Sequence, residues 1–172
     1  MKTIMMFFLI LFANSCYSGE EHKSTPLGEA AINIPVKWKV NKKNDCLIMR
    51  AEHVNASDYL KLCRNSSSEE SEESEESEES EESDYFTMND RGEWEAVTDG
   101  IPVLADINVT SKFTGMSAVI SCKYEDDAGY HSEQCFQAEI NLPKKINFIF
   151  TGRGDPSLFN YYKSIYLSFK VR

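Results

Sequence analysis

Histidine is scarce, and the short signatures of common catalytic sites are missing. His22, His53 and His131 stand apart in polar contexts, and no HExxH, GxSxG, glycine-rich phosphate loop or paired CxxC occurs. Those gaps exclude the familiar zinc-hydrolase, serine-hydrolase and nucleotide-binding arrangements, so neither an enzyme nor a bound cofactor is expected. The acids Glu125-Asp126-Asp127 beside His131 read as a solvated turn rather than a metal site. Bases are outnumbered, 18 against 28 acids, which argues against a nucleic-acid partner. Beyond the first residues no apolar run approaches the roughly 18 positions that a spanning helix needs.

Positive charge is most completely absent between Ser66 and Tyr85. There the chain reads SSSEESEESEESEESEESDY, a Ser-Glu-Glu triplet repeated with no base and no apolar side chain before Tyr85. Its carboxylates are Glu69, Glu70, Glu72, Glu73, Glu75, Glu76, Glu78, Glu79, Glu81, Glu82 and Asp84. Like charges at this density repel, and no face exists to bury, so residues 66–84 are expected to form a disordered, solvated loop. Without these eleven acids, and without Lys2 in the leader, seventeen acids face seventeen bases. The whole net charge of −10 is therefore concentrated in one stretch, as suits recognition of a basic partner. Ser68, Ser71, Ser74, Ser77 and Ser80 also precede Glu-Glu pairs, a pattern that suits acid-directed kinases. A tolerated triplet expansion with no role is the bland reading.

Residues 1–18 combine Lys2, an apolar core from Ile4 to Ala13 and small residues ending at Ser18. This is the pattern of a secretory signal peptide, with one domain expected over 19–172 and the protein placed outside the cell. Cys16 leaves with the leader, and Cys46, Cys63, Cys122 and Cys135 remain, an even number suited to an oxidising compartment. Four cysteines allow three pairings. Cys46–Cys63 and Cys122–Cys135 are favoured because each would close the open end of a hairpin.

The chain between these landmarks is β-prone. Ala30 to Val40 sets Ile32, Ile34, Val36, Trp38 and Val40 on one side and polar residues or Pro35 on the other. Pro35 marks an edge strand or a strand start. After a turn at Asn41 to Asp45, short strands are expected at Cys46 to Ala51 and Tyr59 to Cys63. Beyond the acidic run come Tyr85 to Met88 and Glu93 to Val97, then a turn at Asp99-Gly100-Ile101-Pro102. Val103 to Phe113 follows, with Leu104, Ile107, Val109 and Phe113 as core candidates. Ser117 to Tyr124, Gln134 to Ile140, Ile146 to Phe150 and Ile165 to Val171 complete the set. Helical periods are few, and the expected class is all-β, an antiparallel β-sandwich with two disulfides.

Asn55, Asn65 and Asn108 each open an N-glycosylation sequon. Gly152-Arg153-Gly154-Asp155-Pro156-Ser157 carries Arg153, Gly154 and Asp155 as an RGD tripeptide, similar to the integrin-binding loop of adhesion proteins. An adhesion module is therefore a second reading. A tick-type lipocalin with a small ligand in a barrel is a third.

Cys63-Arg64-Asn65 leading into the Ser/Glu run, SAVISCKY around Cys122, and the tail from INFIF to NYYKSIY together resemble the secreted immune-evasion β-sandwich proteins of poxviruses. That family includes chemokine-binding decoys and proteins that engage MHC class I. In the chemokine-binding branch a Ser/Glu-rich loop follows a cysteine and meets the basic face of the chemokine. The resemblance thus implies a viral, secreted immunomodulator whose Glu69 to Asp84 run contacts a basic chemokine or cytokine, with an exposed sheet face adding shape and apolar contact. Integrins and MHC-like receptors are further partners under the same resemblance and the RGD motif.

Overall fold

The computed structural model describes residues 20–66, 85–98, 101–126, 129–143 and 145–172. The expected signal peptide and the expected disordered run Glu69 to Asp84 lie outside these residues. Among the described residues the protein is mostly β, with one short α-helix. The first strands are β1 (His22–Leu27), β2 (Ala30–Pro35), β3 (Lys39–Lys43), β4 (Cys46–Arg50) and β5 (Tyr59–Ser66). After the acidic run come β6 (Phe86–Met88), β7 (Trp94–Thr98), β8 (Ile101–Leu104) and β9 (Asp106–Val109). The chain ends with β10 (Thr114–Asp126), β11 (Gly129–Leu142), β12 (Ile146–Arg153), α1 (Phe159–Leu167) and β13 (Lys170–Val171).

All pairings are antiparallel, in three sheets ordered β1-β2-β13, β3-β4-β5-β12-β11-β10-β9 and β6-β7-β8. The seven-stranded sheet is the centre. Along β11, Cys135 to Ile140 are buried at six consecutive positions, because both faces of the sheet are covered there. Phe136, Ala138 and Ile140 point to one face, where they join Phe148, Phe150, Leu60 and Leu62 under α1 and the β1-β2-β13 sheet. Met116, Ala118, Ile120 and Cys135 point to the other and pack on Phe86 and Ala96 of the β6-β7-β8 sheet. On the first face the rings stack edge-on, with Phe148 5.0 Å and Phe113 5.4 Å from Phe169, and Phe150 5.5 Å from Tyr166. Each such ring contributes roughly 1.5–3 kcal/mol by burial, and the edge-on geometry adds to it.

The two disulfides are Cys46–Cys63 and Cys122–Cys135. Cys46 and Cys63 are direct cross-strand partners on β4 and β5, with Cα atoms 4.1 Å apart. Cys122 and Cys135 are diagonal, since Cys122 faces Glu133 and Cys135 faces Ile120.

Several segments differ from the sequence reading. Ile165 to Val171 is not a strand: its first half closes α1, and only Lys170–Val171 pairs, with β2. Phe159, Tyr162, Ile165 and Tyr166 are buried, a spacing of three, three and one that suits a helix face. Asp155 accepts a hydrogen bond from the Ser157 backbone and Pro156 follows it, so a 3₁₀ turn at Pro156–Leu158 starts the helix. Ala30 to Val40 is two strands, because the chain turns after Pro35 and the Trp38 N–H donates to the Pro35 carbonyl. That turn leaves Val36 exposed, and Val40, on the edge strand β3, is exposed as well. Pro35 ends β2, which runs between β1 and β13 instead of along an edge. The expected turn at Asn41 to Asp45 contracts to its last two residues, Asn44 adopting φ +53°. Val103 to Phe113 divides into β8 and β9, each at the end of its sheet. With no neighbour beyond them among the described residues, Leu104 and Val109 are 67% and 68% exposed and Ile107 is exposed too, although all three read as core in the sequence.

Candidate binding surface

Both strands that carry the acidic run are fixed at its base. On the entering side, β5 is bonded to β4 by Cys46–Cys63 and pairs with β12 as far as Ser66 opposite Ile146. Arg64 then reaches across to the β1–β2 turn, its Nε and Nη2 each donating to the Glu29 carboxylate at 2.8 Å. This hydrogen-bonded pair lowers the Glu29 carboxyl from 4.5 to about 2. Gly28 makes the approach possible: its φ is +56°, and a Cβ there would stand 2.8 Å from Arg64 Cδ and Nε. On the leaving side, Phe86 is buried in the core between the sheets, and Tyr85 lies in a cleft with Thr151 and Arg153. The acidic run therefore joins points beside opposite ends of β12, about 23 Å apart by strand rise.

The RGD residues are built into the fold. Arg153 ends β12 opposite Tyr59, and its guanidinium donates to Glu133 Oε1 at 3.3 Å and to the Lys123 carbonyl at 3.4 Å. Gly154, at φ +102°, presses against Asp58, whose Oδ1 accepts from the Asp155 N–H at 3.3 Å. The Asp155 carboxylate accepts from the Ser157 N–H at 2.8 Å, which holds its carboxyl below the ordinary value. The two charges thus serve a sheet face and a helix start rather than a shared loop tip.

Among the sequons, Asn55 and Asn65 are exposed, while Asn108 is half-buried on β9. The side chains of Glu125, Asp126 and His131 lie outside the described ones, and no group of three or more metal-ligating side chains occurs among the described residues. No helix among them is long and apolar enough to cross a membrane.

No family model and no curated protein matches the chain.

Two further sets of exposed side chains occur among the described residues, and sequence reading identified neither. On the face of the central sheet covered elsewhere by β6-β7-β8, the strands β3, β4 and β5 carry exposed Lys39, Lys43 and Lys61 and half-buried Arg50. The second set is apolar: Met88, Leu104, Ile107 and Val109 stand exposed on β6, β8 and β9, Met88 and Leu104 on opposite faces of their sheet. The spacing of lysines at 39, 43 and 61 held the first signal, which only the strand register assembles onto one face.

Proposed function

We propose that this is a secreted, N-glycosylated β-sandwich protein, allied to the poxvirus immune-evasion proteins, that sequesters a basic extracellular protein such as a chemokine or cytokine. The observation that carries the reading is the mounting of the acidic run. Eleven carboxylates are strung between a disulfide-bonded, salt-bridged strand and a residue buried between two sheets. Such a polyanion held at both ends steers a cationic ligand over a Debye length of about 8 Å and delivers it to one region of the surface. The exposed apolar margin of Leu104, Ile107 and Val109 supplies contact area that charge alone lacks. The cationic face of β3, β4 and β5 repels the same ligand and restricts its approach.

The test is a binding screen of the purified protein against a panel of chemokines and cytokines, beside a variant in which the ten glutamates of residues 69–82 are glutamines. Replacement preserves the length that the two anchors require. The expected result is saturable binding of a subset, with the variant's association rate lowered at least tenfold near 0.15 M salt and the difference shrinking at higher salt. A loss that ignores salt, or no binding by either protein, overturns the proposal.

A further inference from the structure

Between β1, the outer strand of its sheet, and β3, the outer strand of the central sheet, lies a groove of about 380 Å³. Ile34 and Trp38 line it from the core, and Val36 and Val40 line it 54% and 40% exposed. Val40 pairs with buried Met49, so its side chain points to the face that carries the β1-β2-β13 sheet, and the groove runs against the edge of β3.

The backbone along that edge is unpaired among the described residues. The Cα atoms of Cys46 and Cys63 are 4.1 Å apart, the spacing of a non-hydrogen-bonded pair, so the Cys46 N–H and C=O turn the other way, towards its partner Lys43. By the same alternation Lys39, Asn41 and Lys43 bond to β4, while the N–H and C=O groups of Val40 and Lys42 face outward and meet no partner among the described residues. Those outward groups repeat at about 6.8 Å, the interval of alternate residues in any extended chain. A strand added here lays alternate side chains over Val36 and Val40 and the intervening ones beside Lys39 and Lys43, which point to the opposite face. The ammonium groups of Lys39, Lys42 and Lys43 make no ion pair or hydrogen bond among the described residues, and Asp45 is the one acid between Val36 and Met49. Lysine on an edge strand keeps like copies from pairing, because the same charges would come face to face, whereas an acidic strand meets attraction there. Edge protection by lysine accounts for the charges but needs no apolar groove beside them.

From this geometry we infer that β3 accepts an extended acidic segment of a partner protein as an added strand, with apolar residues alternating between the acids and filling the groove at Val36 and Val40. Such a partner is opposite in charge to the basic protein proposed for the acidic run, so either reading can fail alone. The experiment titrates the full-length secreted protein into a fluorescein-labelled seven-residue peptide of alternating Glu and Val, read by anisotropy near 0.15 M salt, and follows amide exchange by NMR. The expected result is saturable binding, weakened about tenfold by Val36→Glu and about tenfold by Lys39→Glu combined with Lys43→Glu. These side chains are exposed, so the variants keep the fold. The Val40 and Lys42 amides are expected to exchange freely in the protein alone and to slow about tenfold or more with peptide, while the Lys43 amide, bonded to β4, stays slow throughout. Absence of saturable binding, or binding indifferent to either variant, overturns the proposal. So does peptide binding that leaves exchange at Val40 and Lys42 unchanged, which assigns the lysines to anions without strand pairing. Protection of those amides in the free protein overturns it too, by assigning the edge to the chain's own residues.

Discussion

Two tyrosines one helical turn apart on α1 differ in a single atom's surroundings. Tyr162 and Tyr166 are both 1% exposed, and burial raises both hydroxyls well above the ordinary phenol range. The Tyr162 hydroxyl donates to the Arg153 carbonyl at 3.0 Å, whereas the Tyr166 hydroxyl, set against Gly115, has no partner. A satisfied buried hydroxyl contributes about 1 kcal/mol, and an unsatisfied one costs at least as much. Tyr162→Phe is therefore expected to destabilise the protein by about 1 kcal/mol, while Tyr166→Phe is neutral or stabilising by about the same amount. Urea unfolding of both variants checks the contrast, and equal losses would contradict it. Gly152 completes this local structure, because a Cβ there would meet the Tyr162 ring. No pattern in the sequence marks that glycine as the seat of an aromatic ring.

The joint between β5 and the β1–β2 turn rests on Glu29 and Arg64, and its pH dependence follows from the lowered Glu29 carboxyl. A carboxyl whose folded value lies below its unfolded one stabilises the fold above the unfolded value and stops doing so as pH falls through the folded one. The pair's contribution is thus complete above about 4.5 and lost as pH falls towards about 2. Glu29 is 44% exposed, so solvent screening keeps the stabilisation to about 1 kcal/mol. Glu29→Gln is expected to lower Tm by about 3 °C at pH 7, with the gap closing as pH falls below 4.5 and gone near 2. A gap that persists unchanged at pH 2 would refute the assignment. This contact joins residues 35 positions apart, and nothing in the local sequence pairs them. Short β-prone runs between turn residues did reveal β4, β5, β10, β11 and β12, because those strands have one or both faces in the core. The reading misled over Ile165 to Val171, where Ile165 and Tyr166 continue the buried helix face begun by Phe159 and Tyr162, and at β8 and β9, where apolar residues stand exposed. It also passed over β1, which pairs with β2, is polar over most of its length and buries only Leu27 in the core.

The acidic run divides the molecule into two covalent halves that the fold does not respect. The first half, ending at Ser66, contains Cys46–Cys63, and the second, starting at Tyr85, contains Cys122–Cys135, so neither disulfide crosses. Yet β5 pairs with β12 along eight residues, from Tyr59 opposite Arg153 to Ser66 opposite Ile146. The second half's β13 pairs with β2, and its Tyr162 ring meets Trp38 of the first half edge-on at 6.0 Å. Shared sheets and a shared core make association of the halves independent of the chain that links them. A Glu-specific protease is expected to act first on the ten-glutamate repeat, where its sites are densest and no apolar residue is available for burial. The cut protein should then run as one species in native gel filtration. In denaturing electrophoresis it should give two bands even without reductant, because no disulfide joins the pieces. Loss of the secondary structure after the first cut, or separation of the halves under native conditions, would show that the linkage through residues 67–84 holds the sheets together. One intact native species would show that the repeat is free to serve a ligand, because the fold does not depend on it.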